Sequence, residues 1–172
     1  MNEGRTYTIH KSKKSLVDRF MTARDSLRRS LEDTSHRLEI VREVKDVQIL
    51  NDARSSDLLS TRDSFKCIVK PIVWIAATTP HERDYALIEK YVKYKVKCIV
   101  VYGTNGEDMK YKLEHLVEHF SSTRTLEDAV KVAFKTCSKG DVLIYSPSCV
   151  PHDDFRNFAE RGNAFLQYSK QL

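Results

Sequence analysis

At 172 residues the chain is long enough for one domain with its own hydrophobic core and an extension. Hydrophobic residues make up 41% and charged residues 31%, an ordinary balance for a globular protein, and no apolar run approaches the ~18 residues that a membrane-spanning helix needs. The net charge of +5 comes from the first 30 residues, which hold eight Lys/Arg against three Asp/Glu, so the remainder is neutral overall. Asp18 and Asp25 interrupt that basic run and it lacks aromatic interleaving, so it reads as a solvated helix face, with neither nucleic acid nor membrane expected as a partner. Cys67, Cys98, Cys137 and Cys149 are widely spaced without a Cys-x-x-Cys pair, which argues against a zinc cluster or a disulfide framework. With no signal-peptide pattern at the N-terminus, a cytoplasmic location is expected.

In chain order, residues 1–34 read as a basic helical extension, with Leu16, Phe20, Leu27 and Leu31 at helical spacing from about Ser15 to Leu31. Leu38, Ile40, Val41 and Val44 among charged residues, followed by Val47 to Leu50, predict two strands or one interrupted strand. Then come a helix near Ser56–Lys66, a fully apolar strand Ile72–Ala77, a loop holding Pro80 and a helix near Asp84–Lys95. A strand at Cys98–Tyr102, a helix near Asp108–Glu118 and a short edge piece at His119–Ser122 follow. A helix near Thr125–Ser138 has a capping-box-like start in Thr125 and Asp128 and Gly140 as its stop. A strand at Val142–Tyr145 and a helix from about Asp153 to Gln171 close the chain. Strands alternating with helices imply βαβ units, hence a three-layer α/β/α sandwich with a mainly parallel, Rossmann-like sheet over residues 35–172.

Three motifs suggest chemistry. Gly103-Thr-Asn-Gly106 sits where a phosphate loop would sit, but Glu107 and Asp108 occupy the Lys and Ser/Thr places, so an ordinary turn is expected. His115-Leu-Val-Glu-His119 fits an inverted zinc-protease pattern, which requires a helix running through His119, and the helix is expected to end just before it. Cys149, His152 and Asp153 crowd the loop after the last strand; a packed rather than nucleophilic cysteine is the expectation.

The run Ser146-Pro-Ser-Cys-Val-Pro-His-Asp-Asp-Phe-Arg-Asn-Phe-Ala-Glu-Arg-Gly162 resembles the Ser-Pro-Ala-Cys-Ala-Ser signature region of the Mur ligases, in particular the C-terminal domain of the MurD group, which adds D-glutamate. His36-Arg-Leu-Glu39, Asn51-Asp-Ala-Arg-Ser-Ser-Asp57, Val73 to Tyr85 and Thr125 to Val130 are similar to further elements of that domain, in order and at natural spacing. By this resemblance Arg37 and Asp52 fall at positions that help hold the ATP nucleoside. The lysine and serine that hold the D-glutamate carboxylates are His81 and Pro151 here, Phe158 keeps the backing aromatic place, Arg54 replaces a lysine, and Ala77-Thr78 replaces a glycine pair. Histidine is not a fixed cation near neutral pH, and proline offers neither hydroxyl nor N–H.

A pocket for a small anionic ligand, a carboxylate or a phosphate, is therefore expected at the strand carboxyl ends, around Asp52, Arg54, His81, Arg83, Ser146, His152 and Phe158. The resemblance implies a P-loop ATPase domain and a UDP-binding domain, neither of which fits in the ~35 residues before His36 when domains run to about 100 residues. The expectation is a non-catalytic MurD-like binding or regulatory module that needs no cofactor alone. The alternative is one subunit of a split amino-acid ligase, using ATP and Mg²⁺ only with a P-loop partner.

Overall fold

The computed structural model describes residues 35–81, 83–152 and 154–172. The predicted helix near Ser15–Leu31 and the basic extension 1–34 lie outside the described residues, as do Glu82 and Asp153.

The first two strands form a hairpin. β1 (Glu39–Val44) pairs antiparallel with β2 (Val47–Asn51), with Val44 opposite Val47. Lys45 and Asp46 make the turn with φ of 51° and 62°, the doubly left-handed conformation whose twist matches that of paired strands. The alternative of one interrupted strand is thus set aside.

α1 (Leu58–Cys67) starts where Asp57 accepts a hydrogen bond from Ser60 N at 2.7 Å. Its last carbonyls are met from outside: Lys95 Nζ donates to Phe65 O at 2.7 Å and to Ile68 O at 2.6 Å. β3 (Ile72–Ala77), α2 (Ala86–Lys95) and β4 (Val96–Tyr102) form a βαβ unit in which every β3 residue is buried, as a central parallel strand requires.

α3 (Glu107–Leu113) ends sooner than predicted and gives way to a 3₁₀ turn at Glu114–Leu116; β5 (His119–Thr123) is a parallel edge strand beside β4. α4 (Leu126–Thr136) begins with the expected reciprocal cap, Thr125 Oγ1 accepting from Asp128 N at 3.1 Å and donating to Asp128 Oδ2 at 2.8 Å. Gly140 is not its stop: Cys137 ends the helix, and Gly140 takes φ of 90° in the turn leading to β6 (Val142–Tyr145). The last helix, α5 (Phe158–Ser169), starts five residues later than expected, because Asn157 caps it by accepting from Glu160 N at 2.8 Å.

The strand order is β1-β2-β6-β3-β4-β5, with only the β1–β2 pair antiparallel. On one face of the sheet Trp74 and Ile99 pack with Phe65 of α1, Ile88 of α2 and Met109 of α3; on the other Ile75 and Val100 pack with Val130 of α4 and Phe165 of α5. This is the mixed α/β, three-layer arrangement with a mostly parallel sheet, built as one compact unit from His36 to Leu172. Among the described residues, no helix is long and apolar enough to cross a membrane.

Candidate functional site

Loops leaving β2, β3 and β6 converge at the carboxyl end of the sheet, where backbone bonds join them: Asp52 N donates to Tyr145 O at 2.8 Å and Ala77 N to Pro147 O at 3.1 Å. Between them lies a cleft of about 300 Å³, small enough for a metabolite-sized ligand. Leu58 and Leu59 of α1, Leu87 of α2 and Val150 of the β6 loop form its apolar wall. His81, Arg83 and Ser148 bring polar chemistry to it, together with Asp57 and Asp84.

Arg83 is held in place. Its Nη1 donates to Ser148 Oγ at 2.9 Å, its Nε donates to the Tyr85 hydroxyl at 3.1 Å, and its guanidinium lies over the Tyr85 ring at 5.2 Å. Burial pushes the Tyr85 hydroxyl up to about 12, so it stays protonated. Arg83 Nη2 carries no hydrogen bond among the described residues. Ser148 is buried with φ of 58°, so the guanidinium also steadies a left-handed backbone position. His81 is exposed at the rim, its backbone N–H donating to Thr79 Oγ1 at 3.3 Å.

The other expected site residues lie elsewhere. Ser146 is fully buried, 2.8 Å from the hydroxyl of Thr61 and donating to Asp52 Oδ2 at 2.8 Å. Asp52 is equally buried; Ser55 and Ser64 also donate to its Oδ2 at 2.6 and 2.7 Å, and Leu38 N donates to Oδ1 at 3.2 Å. Burial raises its pKa, and those donors oppose the rise. Neither residue lines the cleft, because both are consumed by this interior network. Arg54 lies over the Phe158 ring at 5.2 Å, and His36 meets the same ring edge-on at 6.2 Å. His152 donates from Nε2 to Thr78 O at 2.6 Å, and Arg37 is exposed. The structure therefore brings His81 and Arg83 together in one cleft and leaves Arg54, Phe158, His152 and Arg37 outside its wall.

Cys149 is buried, with Sγ 3.8 Å from His152 Nε2 and 3.6 Å from Thr78 O. Burial pushes its thiol up, against the pull of Arg161 and Arg83, which disfavours a thiolate nucleophile. His115 sits in the 3₁₀ turn and His119 opens β5, so no α-helix face holds both; no cluster of three or more His, Cys, Asp and Glu able to hold a metal is found among the described residues. Gly103 has φ of 115° and a Cβ there would lie 2.0 Å from Thr78 Oγ1, a turn packed against its neighbour.

A larger groove of about 510 Å³ opens at the opposite end of the sheet, near Lys70, Lys93, Lys95 and Lys97. Lys97 pairs with Asp141, and Lys95 caps α1, so two of its four lysines serve the fold. The smaller cleft, with an oriented guanidinium and an apolar wall, is the better site.

No protein-family model matches the chain. The UDP-N-acetylmuramoylalanine–D-glutamate ligase of Salinibacter ruber is 32% identical over 151 residues, covering 86% of this chain and 33% of the ligase. The enzyme of that name from Bacillus mycoides is 31% identical over 145 residues, covering 84% and 32%. The chain is related to the Mur ligases. Its resemblance is to a Mur ligase C-terminal domain of the MurD kind. It spans about a third of the length of the curated MurD relatives it matches. The MurF ligase of Thermotoga maritima, solved with ADP, aligns with 88% of the chain at a TM-score of 0.47 and 14% identity, too distant for the likeness to carry an argument.

The apolar pattern of the sequence does not single out Leu59 and Leu87, although they form half the apolar wall. Their signal is an apolar side chain on the outward face of a helix, 44% and 38% exposed here.

Proposed function

We propose that this Mur-ligase-like domain binds a small anionic ligand in the cleft between α1, α2 and the β6 loop, and serves peptidoglycan synthesis as a binding or regulatory module without forming an amide bond itself. The observation that carries this reading is Arg83: a guanidinium fixed by Ser148 and Tyr85 in a cleft, with Nη2 still available. The non-catalytic part rests on His81 and Pro151, which stand where the resemblance implies a ligand-holding lysine and serine.

The nucleotide positions fit ATP poorly. Asp52 would have to abandon three serine hydroxyls to face a ribose or a base, and Arg37 alone is exposed. The test is ADP release by the full chain given ATP, D-glutamate and UDP-N-acetylmuramoylalanine, the pair of substrates in the relatives' name. No release above background is expected; release that requires both substrates would overturn the reading.

A second reading is a ligand-binding subunit whose P-loop partner supplies ATP and Mg²⁺. It is favoured by the exposed Arg37, which stands where the resemblance implies a nucleotide contact. Recovery of a P-loop protein with the tagged chain, lost on Arg37→Glu, would support it.

A further inference from the structure

We infer that the cleft selects a monoanion with an apolar body, an aliphatic or aryl carboxylate, and rejects a dicarboxylate. The inference rests on the anion-binding reading above and adds the class of ligand. Four side chains decide the body of the ligand: Leu58, Leu59, Leu87 and Val150 line one wall, and the last three are exposed, Val150 at 58%. Apolar side chains left open to water around a concave site gain by covering a ligand's hydrocarbon. A dicarboxylate has no hydrocarbon terminus to offer them.

The charges decide the number of anions. Among the described residues Arg83 is the one fixed cation in the wall, with His81 at the rim. Against it stand two carboxylates, Asp57 and Asp84, each holding a helix start through Oδ1 only: Asp57 accepts from Ser60 N, and Asp84 accepts from Ala86 N at 3.1 Å. Both are exposed, and neither Oδ2 accepts a hydrogen bond among the described residues. One ligand carboxylate finds the free Nη2 of Arg83; a second meets like charge without a matching cation.

Isothermal titration of the full chain with 4-methylpentanoate, glutarate and the uncharged 4-methylpentanamide tests this. The expected order is 4-methylpentanoate tightest, with glutarate weaker by about tenfold, the scale of one like-charge contact near a protein surface, and the amide weaker as well. Leu87→Asp should abolish the 4-methylpentanoate signal while the thermal midpoint holds. The double variant Asp57→Asn, Asp84→Asn keeps both cap acceptors and should narrow the gap to glutarate. Glutarate binding as tightly as 4-methylpentanoate, undiminished binding by Leu87→Asp, or an unchanged gap in the double variant would each overturn this inference while leaving an anion cleft. If neither acid binds better than the amide, the anion reading itself falls.

Discussion

Arg161 of α5 donates from Nη1 to the Cys149 carbonyl at 2.8 Å, joining the last helix to the loop that borders the cleft. The same guanidinium reaches Ala53 O from Nε at 3.0 Å and from Nη2 at 2.8 Å, so a single buried side chain ties the β2 loop, the β6 loop and α5 together. No carboxylate faces it among these contacts; backbone carbonyls take its protons. Lysine cannot reproduce that fork. Arg161→Lys should lower stability by about 2–3 kcal/mol, the range for leaving buried polar groups partly unmet, read as a lower urea midpoint with an unchanged m-value.

Gly162 lies against His36. A Cβ at residue 162 would come within 2.4 Å of His36 Nδ1, which accepts from Asn51 Nδ2 at 2.8 Å and cannot move without breaking that bond. Helix propensity alone favours alanine over glycine, but the clash should dominate. Gly162→Ala is expected to cost about 1–3 kcal/mol; a neutral or stabilising result in thermal unfolding would show that His36 yields freely.

The cysteines should separate by reactivity. Cys67 is exposed, whereas burial raises the thiols of Cys98 and Cys149 and pushes that of Cys137 up to about 12. Brief iodoacetamide treatment at pH 7.5 should label Cys67 and leave Cys149 unmodified until denaturant is added, as peptide mass spectrometry would reveal. Labelling of native Cys149 at the rate of Cys67 would contradict the packed role given to it.

Asp52 should leave a signature in the pH dependence of stability. Its folded pKa is raised by burial, so the folded state holds the proton more tightly than the unfolded chain. Its favourable contribution is therefore complete below the ordinary carboxylate value and is lost as pH rises through the raised folded value. Asp52→Asn should flatten stability over that window. It should also cost about 1–3 kcal/mol where three serine hydroxyls lose a charged acceptor. A wild-type slope of the opposite sign there would contradict the burial account.

Much of the fold was legible because local signals agreed with tertiary ones. Ile72–Ala77 and Val142–Tyr145 are short apolar runs between turn residues, and both strands occur with those bounds. Helix starts were less legible: the last helix was expected from about Asp153, but Asn157, accepting from Glu160 N, caps α5 and sets its start at Phe158. The site was legible only in part. His81 and Arg83 share the cleft, two residues apart in one loop. Asp52 and Ser146 looked like ligand groups, yet Ser55, Ser64 and Thr61 draw them into the interior, a network assembled from segments up to 94 positions apart. Periodicity carries no trace of such long-range pairing.

Anion binding in the cleft depends, on the proposed reading, on Arg83. The most direct measurement is a ¹H–¹⁵N NMR titration of the full chain with 4-methylpentanoate. Saturable shifts are expected, concentrated at Leu59, His81, Arg83, Leu87, Ser148 and Val150, and lost in Arg83→Met once that variant's spectrum shows it folded. Shifts centred on the lysine groove at the opposite end of the sheet, or shifts unchanged by Arg83→Met, would contradict it.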